Sequence, residues 1–211
     1  MWGRGGEDQI IRTARLILRP PRRDDWRSWA DERAASRDHL TPWEPTWPLD
    51  HLTRRAFRQR VAWGRRAARL GRAAPYLLID PASGAVIGGA TLDNIRKGPA
   101  MTATLGYWLG ASHCGQGLMS EALRGLTAHA FDKLGCSRIE AGVVHENAAS
   151  HAVMKRVGFV REGEARAYLK INGAWRDHVL YALLREDRGH EGAPPGLVAE
   201  NRGAEIPVDS C

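Results

Sequence analysis

Cysteine is scarce and unpaired in this chain: Cys114, Cys136 and Cys211 are odd in number among 211 residues, and none belongs to a Cys-x-x-Cys pair. Neither a disulfide framework nor a zinc site is suggested, and no metal is expected. No apolar run reaches the roughly 20 residues that a helix needs to span a bilayer, which excludes a membrane-spanning helix. Met1-Trp-Gly-Arg4 has no hydrophobic signal region, so a cytoplasmic location is expected. Internal repeats are absent as well. Lysine is missing from the first 72 residues, which hold 17 arginines against nine acids, a balance of +8; the remainder has 14 basic residues against 15 acidic ones. Such a half either presents a solvated arginine face on a helix from Leu52 to Leu70 or attracts an acidic partner such as rRNA or the surroundings of a ribosomal protein.

What is present describes one soluble domain. With 43% apolar residues the chain can bury a proper core. Residues 1–10 read as a polar, glycine-rich flexible arm, 11–185 as the domain, and 186–211 as a disordered tail rich in Gly, Pro, Glu and Asp. Ile11 to Arg19 reads as a first strand ended by Pro20-Pro21, and Asp24-Asp25 cap a helix running to about Arg37. A Trp/Pro-rich loop from His39 to Leu49 leads into the arginine-rich helix. Strands are expected at Tyr76 to Ile79 and Val86 to Leu92, joined by the turn Asp80-Pro-Ala-Ser-Gly84, and at Met101 to Leu109. Ser137 to Val144 reads as a strand, Asn147 to Arg156 as a helix, and Val160 to Lys170 and Trp175 to Leu184 as a closing hairpin. This order predicts an α/β fold with a mixed sheet.

The chemistry concentrates between Leu105 and Glu121, where an apolar strand passes through a glycine turn into an amphipathic helix. Gly115 and Gly117 flank Gln116 and put no Cβ between the backbone and a ligand, while the free N–H groups of the helix's first turn favour an anion. Leu118, Met119, Ala122, Leu123, Leu126, Ala130, Phe131 and Leu134 recur at helical spacing, and Gly135 follows as a C-terminal stop. Leu118 and Met119 stand where a nucleoside triphosphatase needs Lys and Ser/Thr, and Ser120 where a dinucleotide fingerprint needs its third glycine. What remains is a diphosphate held by backbone amides.

The glycine turn, followed by a strand and a helix opening at Asn147-Ala-Ala-Ser150, resembles the acetyl-CoA-binding core of the GNAT acyltransferase superfamily. Thr41-Pro-Trp-Glu-Pro45, Gly115-Gln-Gly-Leu-Met-Ser-Glu-Ala-Leu123 and Asn172-Gly-Ala-Trp-Arg-Asp-His178 resemble, within it, the RimJ-like ribosomal-protein-alanine N-acetyltransferases. The resemblance covers roughly Ile11 to Arg185. It implies a GNAT fold with a mixed, mostly antiparallel central sheet flanked by helices, acetyl-CoA as cosubstrate, and direct acetyl transfer to the N-terminal amine of a protein or peptide, above all the N-terminal alanine of a ribosomal protein. The implied cofactor residues are Trp108, Leu109, Cys114, Gly115, Gln116, Gly117, Leu118, Met119, Asn147 and Ser150, with the pantetheine arm between two splayed parallel strands.

Many members of the superfamily carry a tyrosine seven residues after the asparagine to protonate the departing thiolate. Met154 stands there instead, which shifts that role to Ser150. Asn147 and Ser150 also suit a plain helix cap. Candidate bases are Glu140 and His145, with Tyr168 and Asp177 as further polar groups on the last hairpin; Glu140 also suits a surface charge, and His145 a loop. His151 reads as solvated and Cys114 as a small filler. An α-amine titrating near 8 is about a tenth free base at neutral pH, against under a thousandth for a lysine near 10.4, so an N-terminal acceptor needs little more than positioning and a weak base. Trp43 and Glu44 are the candidate acceptor contacts beside Tyr168, or else Trp43 only packs its loop onto the sheet. A small-amine acetyltransferase and a non-catalytic acetyl-CoA binder on ribosomes remain as alternatives.

Overall fold

Near-continuous burial along β3 (Ala74–Ile79) and β4 (Val86–Asp93) and alternating burial along β6 (Arg138–Val144) build the centre of one eight-stranded sheet, and the edge strand β7 (Val160–Ile171) is mostly exposed. The computed structural model describes residues 10–187. The strands are β1 (Ile11–Arg12), β2 (Ile17–Arg19), β3 (Ala74–Ile79), β4 (Val86–Asp93), β5 (Thr102–Leu109), β6 (Arg138–Val144), β7 (Val160–Ile171) and β8 (Ala174–Leu184), in the order β1-β2-β3-β4-β5-β6-β8-β7. Among the described residues only β5 and β6 run parallel, linked by the helix between them. The helices are α1 (Trp26–Ala35), α2 (Arg37–Leu40), α3 (Arg54–Arg69), α4 (Leu118–Asp132) and α5 (Ala148–Val157). The arm and tail expected at 1–10 and 186–211 lie outside the described residues, except for residue 10 and for Glu186 and Asp187, which close a 3-10 turn from Arg185.

Ala103, Leu105 and Leu109 of β5 and Ile139, Ala141 and Val143 of β6 face α4 and form the main core with Leu123, Leu126 and Phe131. Leu77, Ile79 and Val86 face the other way, onto Trp29 of α1 and Phe57 and Val61 of α3. The helices stop as the sequence asks: Thr53 Oγ1 accepts from Ala56 N (3.2 Å) at the start of α3, and Gly158 caps the end of α5.

Two expectations are corrected. The strand expected from Ile11 to Arg19 is a hairpin, with Ile11 opposite Leu18. Thr13 N donates to Leu16 O (2.9 Å), and Thr13 Oγ1 accepts from Leu16 N (3.1 Å), so the threonine closes the turn itself. The helix expected to reach Arg37 breaks after Ala35, where buried Ser36 turns its hydroxyl to accept from Ala111 N (2.9 Å) and ties the bend to the loop before the glycine turn.

Candidate active site

The glycine turn is held open. Gly115 and Gly117 both have φ of 75°, a region strained for any side chain, and a Cβ at Gly115 would meet nothing within 4 Å. Gly117 is the N-cap of α4, so the N–H groups of the first turn have no intrahelical acceptor and form the positive end of the dipole. Leu118 and Met119 send their side chains into the core and leave only backbone at the turn. Ser120, which in the sequence marks only the place where a dinucleotide fingerprint needs glycine, sits in that same turn at 3% exposure, and among the described residues its Oγ has no hydrogen-bond partner. An orphaned hydroxyl beside free amides at a helix N-terminus fits a diphosphate.

The turn is braced from behind by the first hairpin. Glu121 accepts from Thr13 Oγ1 (2.6 Å), Arg15 N (2.7 Å) and Arg15 Nε (2.7 Å), while Arg15 Nη1 donates to Gln116 O (3.0 Å). Burial would raise the Glu121 carboxyl, but the hydrogen bonds from Thr13 and Arg15 outweigh it and hold it low. Gln116 Nε2 reaches back to Ser112 O (3.2 Å). Cys114 Sγ lies 3.5 Å from His39 Nε2, and burial pushes its thiol up, away from the reactive thiolate.

Next to the turn, the parallel pair opens. β5 pairs with β4 from Thr104 to Leu109, and β6 with β8 along its whole length, yet β5 and β6 pair only at Thr102/Arg138, Ala103/Ile139 and Thr104/Glu140. Past that point the facing edges lack ladder partners among the described residues, which leaves N–H and C=O groups open to pair with an extended amide chain laid in the gap. Gly106 and Gly142 flank the gap, and a Cβ at Gly106 would meet nothing within 4 Å. On the α5 side, Asn147 Oδ1 accepts from Ser150 N (3.0 Å), and the Tyr107 hydroxyl lies 3.5 Å from Ser150 O. Burial pushes the Tyr107 phenol up to about 12. Met154 is fully buried in the core, with no polar atom to offer.

On the opposite face, at the base of the gap, a pocket of about 660 Å³ is lined by Thr104, Glu140 and Tyr168 together with the end of α3 and residues 93–96. Glu140 accepts from Arg138 Nε (2.9 Å) and lies 3.8 Å from Arg96 Nη2. Tyr168 reaches the pocket through a bulge. Four residues of β7 advance from Ala165 to Leu169 while β8 retreats two, from His178 to Arg176, and Ala167 has φ of 47° with its N–H on Asp177 Oδ1 (2.7 Å). Asp177 therefore shapes the bulge, and the Tyr168 ring lies over Gly142, 3.1 Å from where a Cβ would stand.

The remaining candidates are placed apart. His145 is exposed in the turn after β6, 3.5 Å from Glu164 Oε2, and the strand from Glu140 to Val144 alone is about 13 Å long. The two candidate bases thus do not meet. Trp43 and Glu44 do not line the pocket. Glu44 pairs with Arg33 and accepts from Trp47 Nε1 (2.7 Å), and its backbone oxygen takes Asn172 N (2.9 Å) from the β7–β8 turn. Arg33 claims that carboxylate because it is buried among Trp47 (4.5 Å), Trp108 (4.8 Å) and Trp29 (5.6 Å). Burial first, then Arg60, Arg33 and Arg37, lower His51 to about 3, so a neutral ring stacks on Trp47. Trp108 points to this cluster, which leaves its backbone, with that of Leu109, along the gap.

An anion cradle on one face, two splaying strands and a charged pocket on the other fit a protein that holds a diphosphate-bearing cosubstrate. The chain belongs to the GNAT acetyltransferase family: a profile of the Acetyltransferase (GNAT) domain matches residues 15–160. It is 36% identical over 178 residues, 84% of this chain and 91% of the other, to the [ribosomal protein uS5]-alanine N-acetyltransferase of Escherichia coli strain K12. Mycobacterium smegmatis RimJ, solved in complex with CoA-disulfide, superposes with a TM-score of 0.81 at 34% identity, covering 87% of this chain and 91% of that one. The ribosomal-protein-S5-alanine acetyltransferase of Vibrio fischeri gives 0.79 at 29% identity, covering 84% and 97%. The protein is an acetyl-CoA-dependent N-acetyltransferase.

Proposed function

We propose that this enzyme acetylates the α-amine of a ribosomal protein that begins with alanine, in the cytoplasm, with the acceptor entering from the α3 side of the sheet. The observation that supports this most is the pocket of about 660 Å³ at the base of the β5–β6 gap, with Glu140 and Tyr168 in its wall. The 36% identity to an enzyme named for uS5 alanine points to the same acceptor class. Bound acetyl-CoA would supply the acetyl thioester; the glycine turn and Ser120 fit its diphosphate, and the gap fits its amide arm. Glu140 takes the proton of the attacking amine, directly or through water, and Tyr168 walls the acceptor. Ser150, at the positive end of the α5 dipole, donates a hydrogen bond where negative charge develops on sulfur. Incubation with acetyl-CoA and peptides beginning with Ala, Ser or Met, beside an N-blocked peptide containing lysine, is expected to add one acetyl group to the Ala and Ser termini by mass. Product on the lysine alone, or on no peptide, overturns the acceptor assignment.

Contact with rRNA through the arginine-rich half belongs to this reading. Arg54, Arg58, Arg65 and Arg69 are exposed along about 22 Å of one side of α3, and among the described residues none of them makes an ion pair. Like charges four apart weaken a helix, a cost that a line of phosphates relieves. Replacing these four by Gln is expected to flatten the salt dependence of binding to a structured RNA by about 3 in slope. Replacing the exposed Lys97, Lys133, Lys155 and Lys170 removes the same charge and serves as control. Equal slopes for the two variants would leave α3 as a solvated face.

A further inference from the structure

Within the reading of an α-amine acceptor, we propose that the pocket selects N-termini with an acidic side chain within the first few residues after the reacting amine. The α3 wall of the pocket runs from Trp63 to Leu70, about 10 Å of helix, which about three residues of an extended peptide would follow. Residues two to four of an acceptor anchored at Glu140 would therefore lie against this wall.

Its charges are unbalanced. Arg66, Arg72 and Arg96 line the pocket against Asp93 and Glu140. Glu140 is already engaged by Arg138 and Arg96. Asp93 accepts from Asn94 N (2.8 Å) and stands as the one further acid in the lining. Arg66 and Arg72 are exposed and, among the described residues, make no ion pair. The whole of α3, RRAFRQRVAWGRRAAR, contains no acid to oppose them. A carboxylate can take a planar guanidinium in two parallel hydrogen bonds, a geometry an ammonium cannot use.

The apolar part of the wall fits the same guest. Trp63 and Leu70 are 50% and 55% exposed and stand about one helical turn before and after Arg66, with Ala67, Ala73 and Ile95 also in the lining. The methylenes of Glu would cover this surface while its carboxylate meets an arginine. A cationic acceptor meets two free guanidinium groups, so polyamines and lysine-rich termini are disfavoured. The same field lowers the proton affinity of an entering amine and raises its free-base fraction.

The test uses alanine-initiated peptides with a shared neutral tail and Glu, Gln or Lys at the second, third or fourth position, assayed by thiol release. Wild type is expected to favour Glu over Gln by about tenfold in kcat/KM, through KM, with Lys below Gln, and to lose most of this ranking in 0.5 M salt, where the Debye length is a few ångströms. Arg66→Glu with Arg72→Glu should invert the order, while Arg66→Lys should keep its sign. Equal rates for the Glu, Gln and Lys peptides, all of them acetylated, overturn the acidic preference and leave the acceptor assignment standing. Failure to acetylate any peptide overturns both.

Discussion

Gly117→Val is expected to weaken CoA binding by at least about 100-fold while leaving a folded protein. Gly117 holds φ of 75° and ψ of 2° as the N-cap of α4, a conformation that costs a β-branched residue roughly 1–3 kcal/mol. A Cβ there would meet only Arg15 Nη2, at 3.7 Å, so the strain is conformational and does not arise from a clash. Relief comes from rotating the turn out of the left-handed region, which re-aims the N–H groups that the diphosphate needs. Two hydrogen bonds to a charged ligand, each worth about 1.5–3 kcal/mol, account for the loss. Calorimetric titration with CoA measures it, and Tm is expected to fall by no more than about 10 °C for a chain of this size. Gly117→Ala should fall between, because it adds a Cβ without the branch. A valine variant that binds CoA like wild type would remove the turn from the cosubstrate site.

The parts of the site built from contiguous residues are legible in the sequence. Gly115, Gly117 and the apolar periodicity of α4 predict both the helix and its open N-terminus, and Asn147 marks the start of α5. The parts built across the chain are not. The hairpin behind the glycine turn has neither Gly nor Pro at its bend; it is fixed by Glu121, 106 positions from Arg15, and so Ile11 to Arg19 reads as one strand. Arg33 is one of 17 arginines in the first 72 residues, and only the three tryptophans folded around it show that it is buried and engages the Glu44 carboxylate. Tyr168 reaches the pocket because Ala167 adopts φ of 47° against Asp177, a distortion with no local signal. The pocket collects residues from Trp63 to Tyr168, each ordinary in its own segment. Ser120 reads as one more position on a helix until its burial leaves the hydroxyl without a partner.

Ser150→Ala is expected to lower kcat about 100-fold with little change in the KM for acetyl-CoA, the pattern of an interaction made mainly as the bond to sulfur breaks. The helix start does not depend on the hydroxyl. Asn147 Oδ1 caps the backbone N–H of residue 150, a contact alanine keeps, so stability should change by less than about 1 kcal/mol. Met154, where a tyrosine is usual in the superfamily, is sealed in the core and cannot compensate. Among the described residues two tyrosine hydroxyls approach this turn: that of Tyr107 lies 3.5 Å from Ser150 O, and its phenol, raised to about 12 by burial, stays protonated at neutral pH, while that of Tyr181 lies 2.8 Å from His151 Nδ1. Variants at Ser150, Tyr107 and Tyr181 therefore decide the donor. If Ser150→Ala turns over like wild type while Tyr107→Phe loses kcat, the hydrogen bond to sulfur comes from β5. If Ser150→Ala alone loses kcat and still binds CoA normally by calorimetry, the first turn of α5 supplies both the dipole and the proton donor that the missing tyrosine leaves to be found.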